Sequence, residues 1–409
     1  MNLKVCRICH GKSFQRYLNL GFTPPADSFI RAQGLQQPEV YYPLEVCLCL
    51  DCGISQLCYT VPPDILYQHD YPYESSTTLA GRTHFFKFAT AVVARFKLEP
   101  GSLAVDVGSN VGVLLDGFRD NGCRILGIDP SANIAEIANS RGIETINDFI
   151  SPQVTSQVLV RHGRASVITA TNVFAHIDDL DSFMEAVDLL LDDTGVLIIE
   201  APHFLKLVQG LEYDTIYHEH LLYISVRPLS RLFGRFGYEV FDVEEVGIHG
   251  GSIRIYVART GRQRKSAAVS RILEAEDTNR IFDVARLKQF SDDVASHRLK
   301  LTTMLRSLKA GGKTLAGVSA PAKGMTLLNY CRIGTELLDF VTEKSRLKIG
   351  QYTPGMHIPI LPDAALAERR PDYALLLAWN FADEIMGNLK EYREKGGKFI
   401  IPIPELRVV

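Results

Sequence analysis

Long apolar runs are missing from this chain of 409 residues. Nowhere do 18 apolar residues follow one another, so no membrane-spanning helix is expected. An excess of either charge is missing too. With 44 Lys and Arg against 47 Asp and Glu the net charge is −3, and no basic stripe stands out. That speaks against nucleic acid or an anionic membrane as the main partner. The N-terminal MNLKVCRICHG has no apolar run behind a basic start, so no secretory signal is expected. Internal repeats and low-complexity segments are absent. Cysteine is scarce except in one place: Cys6, Cys9, Cys47, Cys49, Cys52 and Cys58 crowd the start, and only Cys123 and Cys331 lie beyond. Without a secretion signal a reducing, cytoplasmic location is the expectation, and metal binding outranks disulfides.

What is present describes an ordinary globular protein too long for one core, with room for two or three domains. Residues 1–65 read as a cysteine-rich module. Cys6-x-x-Cys9 and Cys49-x-x-Cys52 each bring two thiolates to one point, and two such turns complete a tetrahedral sulfur shell for Zn²⁺. Four protein ligands close that shell, so the metal is expected to be structural. Cys47 and Cys58 are left as spare thiols. The long gap between the two turns calls for a ribbon with an inserted hairpin.

Residues 66–262 change character. RTHFFKFATAVVARFKL has apolar residues at 85, 86, 88, 92, 93 and 96, one face of a helix. Then come a strand over 103–107, a glycine turn and a helix; a second strand ending at Asp129; a third ending near Asp148; a fourth in ASVITAT; and a fifth in GVLIIEAPHF. Strands alternating with helices predict a doubly wound parallel sheet, closed here by a two-strand hairpin over YEVFDVEEVGIHGGSIRIYVAR. Residues 263–409 begin with a helical spacing that includes Val284, Leu287, Phe290, Val294, Leu301, Leu305 and Leu308, read as one long helix joining domains. KTLAGVSA, LLDFVTE, YALLLAWN and KFIIPIPEL then predict a second, smaller parallel sheet. The expected architecture is therefore α/β throughout: a small N-terminal zinc-binding module, a central methyltransferase-type sheet and a C-terminal second α/β domain.

The first turn, VDVGSNVGVLL, offers Gly108, Asn110 and Gly112. A dinucleotide site would want G-x-G-x-x-G, and the third glycine is missing. The spacing suits a ligand without a pyrophosphate, such as S-adenosylmethionine, whose ribose hydroxyls Asp129 would accept and whose adenine amino group Asp148 would hold. Asp106 would face the sulfonium region through water.

The densest cluster of proton-moving groups is YHEHLLYIS, Tyr217 to Ser225, over the carboxyl ends of the strands where such sheets bind ligands. His218 and His220 share a face only if the segment is extended. Asp214, Glu219 and the histidines could hold a metal, but helical HExxH spacing is absent. A histidine base beside a carbonyl, a glutamate fixing its tautomer and a tyrosine holding a developing enolate fit better. His176, after the fourth strand, would look into the same cleft.

Read together, the four-cysteine module, YPYESS, VDVGSNVGVLL, GIDPS, NVFAHI, YDTIYHEHLLYIS, HGGSIRIYV, SAPAKGMTLLNYC, YTPGMHIPI and LLLAWNFADEI resemble the zinc-containing C-methyltransferases that add a branch methyl to nucleotide-linked 4-keto-deoxysugars. The resemblance spans nearly the whole chain. It implies that His220 takes the proton beside the C4 ketone, with Tyr217 and Glu219 contacting the sugar or steadying the base and His176 beside the reacting centre. It implies methylation at C3, a thymidine diphosphate (dTDP) sugar as substrate, antibiotic deoxysugar synthesis as the setting, and a monomer or weak homo-oligomer. Lys323 in APAKG suits the diphosphate; Tyr71, His218, Tyr352 and His357 would add substrate contacts, and Tyr73 would close over the cofactor. The sequence departs at Val318-Ser319, where Tyr-Gly is expected. The rivals are an O- or N-methyltransferase, a non-enzymatic zinc-ribbon adaptor and a nicotinamide oxidoreductase.

Overall fold

The computed structural model describes residues 1–67, 79–248 and 250–409; Tyr71 and Tyr73 lie outside them. The N-terminal module is an antiparallel ribbon of β1 (Phe14–Thr23), β2 (Tyr42–Cys49) and β3 (Ser55–Leu57), the inserted hairpin that the cysteine spacing called for. Each cysteine pair sits on a tight backbone turn, with His10 N–H donating to Cys6 O and Gly53 N–H to Cys49 O.

The central sheet contains β4 (Leu103–Val107), β5 (Arg124–Ile128), β6 (Thr145–Ile146), β7 (Ala165–Thr171) and β8 (Leu191–Pro202). After these the chain makes β9 (Leu222–Tyr223), β10 (Tyr238–Val246) and β11 (Ser252–Arg259). The order is β10-β11-β8-β7-β4-β5-β6, and the first five strands run parallel. β11 pairs antiparallel with both β8 and β10. All five residues of β4 are buried, as a strand covered by helices on both faces requires. β9 does not join this sheet. It pairs with β3, so a piece of the central domain completes the N-terminal ribbon.

The C-terminal sheet holds β12 (Leu315–Val318), β13 (Val341–Glu343), β14 (Ile360–Pro362), β15 (Tyr373–Leu376), β16 (Lys398–Ile401) and β17 (Arg407–Val408), in the order β14-β13-β12-β15-β16-β17. The two short edge strands β14 and β17 carry too few residues to show a period and are additions to the predicted four.

The predicted linker helix also differs. It is two helices, Ala267–Thr278 and Val284–Ala310. Arg280 adopts a left-handed φ of 54°, and Asp283 caps the second helix by accepting from Ala285 N at 2.7 Å and Arg286 N at 3.2 Å. The first helix packs on the central domain, where the buried carboxylate of Glu276 accepts from Val226 N at 2.7 Å and Arg227 N at 3.2 Å, capping the helix Val226–Arg235.

Both parallel sheets reverse their strand order beside their first strand, between β4 and β7 and between β12 and β15. Such switch points are where open α/β sheets bind ligands. Here the two lie on one cleft.

Candidate active site

The four predicted metal ligands come together. The sulfurs of Cys6, Cys9, Cys49 and Cys52 all lie within 4.8 Å of one another, with Cys6 Sγ 3.6 Å from Cys52 Sγ and Cys9 Sγ 3.7 Å from Cys49 Sγ. A tetrahedral Zn²⁺ with bonds of about 2.3 Å needs sulfurs about 3.8 Å apart. The donor set therefore fits zinc, and with four thiolates there is no open coordination position for chemistry. Among the described residues no second cluster of metal-ligating side chains occurs, and the histidines of YHEH form none.

The cleft between the central and C-terminal sheets has a volume of about 600 Å³. Its floor at the central sheet is the turn after β4 and the ends of β5 and β7: Asp106, Gly108, Asn110, Asp129 and Thr171 all line it. Gly108 adopts φ 64°, and a Cβ there would stand 2.5 Å from Val173 Cγ2, so only glycine fits this turn. Asp129 is buried, its carboxylate accepting from Asn110 N and Ser131 N, each at 2.9 Å. Burial lifts its pKa above the ordinary carboxylate value. Asp106 accepts from Thr169 Oγ1 at 2.6 Å and is pushed up to about 7, by burial first and then by the charge of Asp129. The hydroxyls of Ser109 and Thr171 are buried on this wall without a hydrogen-bond partner among the described residues. These orphaned polar atoms beside a cradle that a Cβ would fill fit a polar ligand in close backbone contact. Asp148 lines the same wall but is exposed, and its carboxylate accepts from its neighbour Phe149 N. Gly112 is not on the wall: it caps the helix Val113–Asp120 at φ 81°, and a Cβ there would meet Ile143 at 2.5 Å. Its role is packing.

Between the two domains stands His220. The segment is a turn, not an extended strand, with His220 N–H donating to Tyr217 O at 2.9 Å. The turn brings Tyr217 and His220 onto one face, ring centroids 3.9 Å apart, and both line the cleft. It sends His218 and Glu219 the other way. His218 is buried edge-on against Tyr42 of the N-terminal module, 5.9 Å between centroids, and Glu219 is buried behind the wall beside Asp27. Neither side chain lines the cleft.

His220 Nδ1 lies 2.7 Å from Thr215 O. A carbonyl only accepts, so Nδ1 carries the proton and Nε2 is the basic nitrogen. Burial pushes this imidazole down to about 4, the charge of Lys323 adds to that, and the Thr215 carbonyl opposes it. His176 stands 5.1 Å away, ring centre to ring centre, and is also held well below the usual imidazole range by burial. Both rings are therefore neutral at neutral pH.

At the C-terminal wall, Lys323 sits in the first turn of the helix Ala322–Cys331. Its Nζ donates to Asn380 Oδ1 at 3.1 Å and lies 4.5 Å from the centre of the Trp379 ring. Burial lowers its pKa, while Asp214 and Glu212 raise it. Lys348, reaching the same cleft, donates to Ala320 O at 2.9 Å and lies 3.8 Å from Asp27 Oδ1. Ser319, the departure noted in the sequence, lines the cleft with a φ of 68°.

Tyr352 and His357 are not in the cleft. Their segment clasps the N-terminal module: Tyr352 exchanges two backbone hydrogen bonds with Ile30, Gly355 N donates to Glu39 Oε1 at 2.8 Å, and His357 Nε2 pairs with Glu39 Oε2 at 3.0 Å. The sequence patterns single out none of Glu212, Thr215, Lys348 and Trp379 for the site, and Asp214 only as a metal ligand. Only the tryptophan in LLLAWNF offered a signal, because a lone indole needs a buried partner for its N–H.

A parallel sheet with an antiparallel hairpin at β10 and β11, a glycine cradle after β4 and a buried acid after β5 define an S-adenosylmethionine-dependent methyltransferase, here fused to a four-thiolate zinc module. The chain matches family models described as a methyltransferase domain over residues 82–243, a C-methyltransferase C-terminal domain over 247–404 and a zinc binding domain over 6–67. It is 36% identical over 405 residues to the C-methyltransferase NovU of Streptomyces niveus, covering 99% of this chain and 96% of that one. The chain belongs to this family of C-methyltransferases. It is also 25% identical over 137 residues to a ubiquinone biosynthesis O-methyltransferase of Rhodopseudomonas palustris (strain BisA53), covering 30% of this chain and 53% of that protein. Among solved structures, the magnesium protoporphyrin IX methyltransferase of Synechocystis PCC 6803 aligns with 46% of this chain and 90% of its own, at 15% identity and a TM-score of 0.36.

Proposed function

We propose that the cleft takes a nucleotide-linked 4-keto-deoxysugar, a dTDP sugar, and that the methyl goes to C3 with His220 as the base. The observation that carries this reading is the tautomer of His220: Nδ1–H is committed to Thr215 O, which leaves Nε2 as a proton acceptor on the cleft. Carbon methylation needs such an acceptor because a C–H bond must break. Burial that keeps the ring uncharged keeps it competent at neutral pH.

S-adenosylmethionine, when bound, supplies an electrophilic methyl on its sulfonium. Asp129 is assigned its ribose hydroxyls and Asp148 its adenine amino group, with Gly108 and Asn110 giving close backbone approach. His220 Nε2 removes the C3 proton, and the electron pair moves to the C4 oxygen as an enolate. Tyr217, against the base, is assigned that oxygen. His176, neutral and adjacent, keeps the space beside the reacting carbon free of a second charge. Lys323 is assigned the diphosphate: a compact cation needs an anion more than a shaped acceptor. Glu219, buried beside Asp27 and Tyr67 and off the cleft, is assigned no contact with the sugar. No helix among the described residues is long and apolar enough to cross a membrane.

The test is a panel of nucleotide 4-keto-deoxysugars incubated with S-adenosylmethionine and read by mass for the gain of one CH₂. Deuterium placed at C3 must be lost if carbon is methylated and is retained if oxygen or nitrogen is. His220→Ala or His220→Asn should cut turnover by about 10²–10⁴ with S-adenosylmethionine binding kept, the range for a lost acid–base group. Near-normal turnover removes His220 from the role.

A further inference from the structure

We infer that the C-terminal domain holds the base in place as well as the substrate, and that Asp214 is the positioning residue through which it does so. This rests on the reading of His220 as the base. The short turn Tyr213–Thr215 precedes His220, and Thr215 O fixes the ring. Long-range side-chain bonds tie this turn to the C-terminal part of the chain. His297 Nε2 donates to Pro402 O at 2.8 Å, so its Nδ1 is an acceptor and Tyr213 OH donates to it at 3.1 Å. Trp379 Nε1 donates to Asp214 Oδ2 at 2.6 Å. Thr326 Oγ1 donates to Ile216 O at 3.2 Å. The other side-chain bonds at residues 213–216 are Tyr213 OH with Cys331, also C-terminal, and local ones: Thr215 Oγ1 to Glu212 O, the Asp214 carboxylate with the backbone of its own turn, and that of His220 itself.

Asp214 is the joint of this arrangement. It is fully buried, and its Oδ1 has no partner among the described residues. The Trp379 N–H is therefore the one long-range bond that its carboxylate has, and Lys323 stands over the same indole ring, 4.5 Å from its centre. A continuous set of contacts runs from Nδ1 of the ring whose other nitrogen takes the proton, through Thr215, Asp214 and Trp379, to the cation assigned to the substrate's anionic arm. Loss of the indole N–H would take the one long-range donor from a buried carboxylate and leave it only the backbone N–H groups of its own turn. The turn would then shift, and a displacement near 1 Å at a reacting group costs on the order of 10²-fold in rate.

The test uses the full-length zinc-bound enzyme and the variants W379F, D214A, D214N and D214A/W379F. Without any ligand, amide hydrogen exchange over residues 213–221 should rise in W379F and D214A, although position 379 lies in another domain. With the nucleotide keto-sugar that the wild type turns over, W379F and D214A should each lower kcat by roughly 10–100-fold, within the range a small misplacement allows. D214N, which still accepts from the indole, should recover most of that loss, and the double variant should be no slower than the slower single one. Trp379 is the sole tryptophan, so its emission on titration with dTDP reports the substrate side separately. Unchanged exchange over 213–221 in W379F, additive losses in the double variant, or a D214N as slow as D214A each overturns the inference. If the wild type turns over no nucleotide keto-sugar, the substrate reading falls, while the exchange measurement still decides the coupling.

Discussion

His220 shows how one ring is prepared for a task by its neighbours alone. In water an imidazole is half protonated near pH 6.5. Here a carbonyl claims the proton on one nitrogen, low-dielectric surroundings penalise the charged ring, and the ammonium of Lys323 adds repulsion. All but the carbonyl favour the neutral form, so the ring stays unprotonated as pH falls until about 4. The protonation of His220 is therefore expected well below pH 6.5, and any titration of kcat/KM between pH 8 and 6 belongs to the raised carboxyls nearby, Asp106 at about 7 and Asp214 at about 6. An imidazole signal of His220 that titrates at 6.5 by NMR would mean that the ring is solvated in the working enzyme. His218, one turn-face away, shares the lowered pKa through burial but points at Tyr42. A depressed pKa alone does not mark a base; the direction of the ring does.

At the scale of elements, the turns after the first strand of each sheet carry the strain and the ligands. Gly108 needs both its positive φ and the space beside Val173. Ser319, in the corresponding turn after β12, has the positive φ without being glycine. A left-handed non-glycine residue costs about 1–2 kcal/mol, and glycine's greater freedom in the unfolded chain returns part of that. Ser319→Gly is expected to raise the melting temperature slightly, by differential scanning calorimetry; a fall would mean that the serine hydroxyl contributes more than the backbone strain costs. Strands β4, β5, β7 and β8 were legible because buried parallel strands are continuous apolar runs, and the CxxC turns because thiolate spacing encodes a tetrahedron. The break at 279–283 was not, since Asn279 and Arg280 are unremarkable as letters and act through a cap and a left-handed φ. His218 and His220 would share a face only in an extended segment; a turn forms, and His218, which the resemblance assigns to the substrate, faces Tyr42 instead. YTPGMHIPI was distinctive yet structural, for its backbone and His357 are used to grip Ile30 and Glu39. The contact between Asp214 and Trp379 joins residues far apart in sequence and had no local period to announce it.

At the scale of the whole molecule, three sheets converge on one loop. The central sheet presents the cofactor wall, the C-terminal sheet the cation, and the zinc ribbon, through β3 and β9, the strand that begins two residues after His220. The four thiolates do not line the cleft, and the ribbon meets the His220 loop through the pairing of β3 with β9. Stripping the metal with a chelator should lower the melting temperature, because the apo thiols no longer hold the two turns together. It should also lower kcat, while the dissociation constant for S-adenosylmethionine changes by less than a few-fold, as expected for coupling confined to the loop. Weakened S-adenosylmethionine binding of equal size would show instead that the whole core had loosened. Ser55–Leu57 finds its outer neighbour in Leu222–Tyr223, so severing the polypeptide after Leu57 would orphan a ribbon edge on both fragments. Grafts that exchange metal knuckles between relatives must accordingly move the 217–225 loop along with them, as one inherited unit.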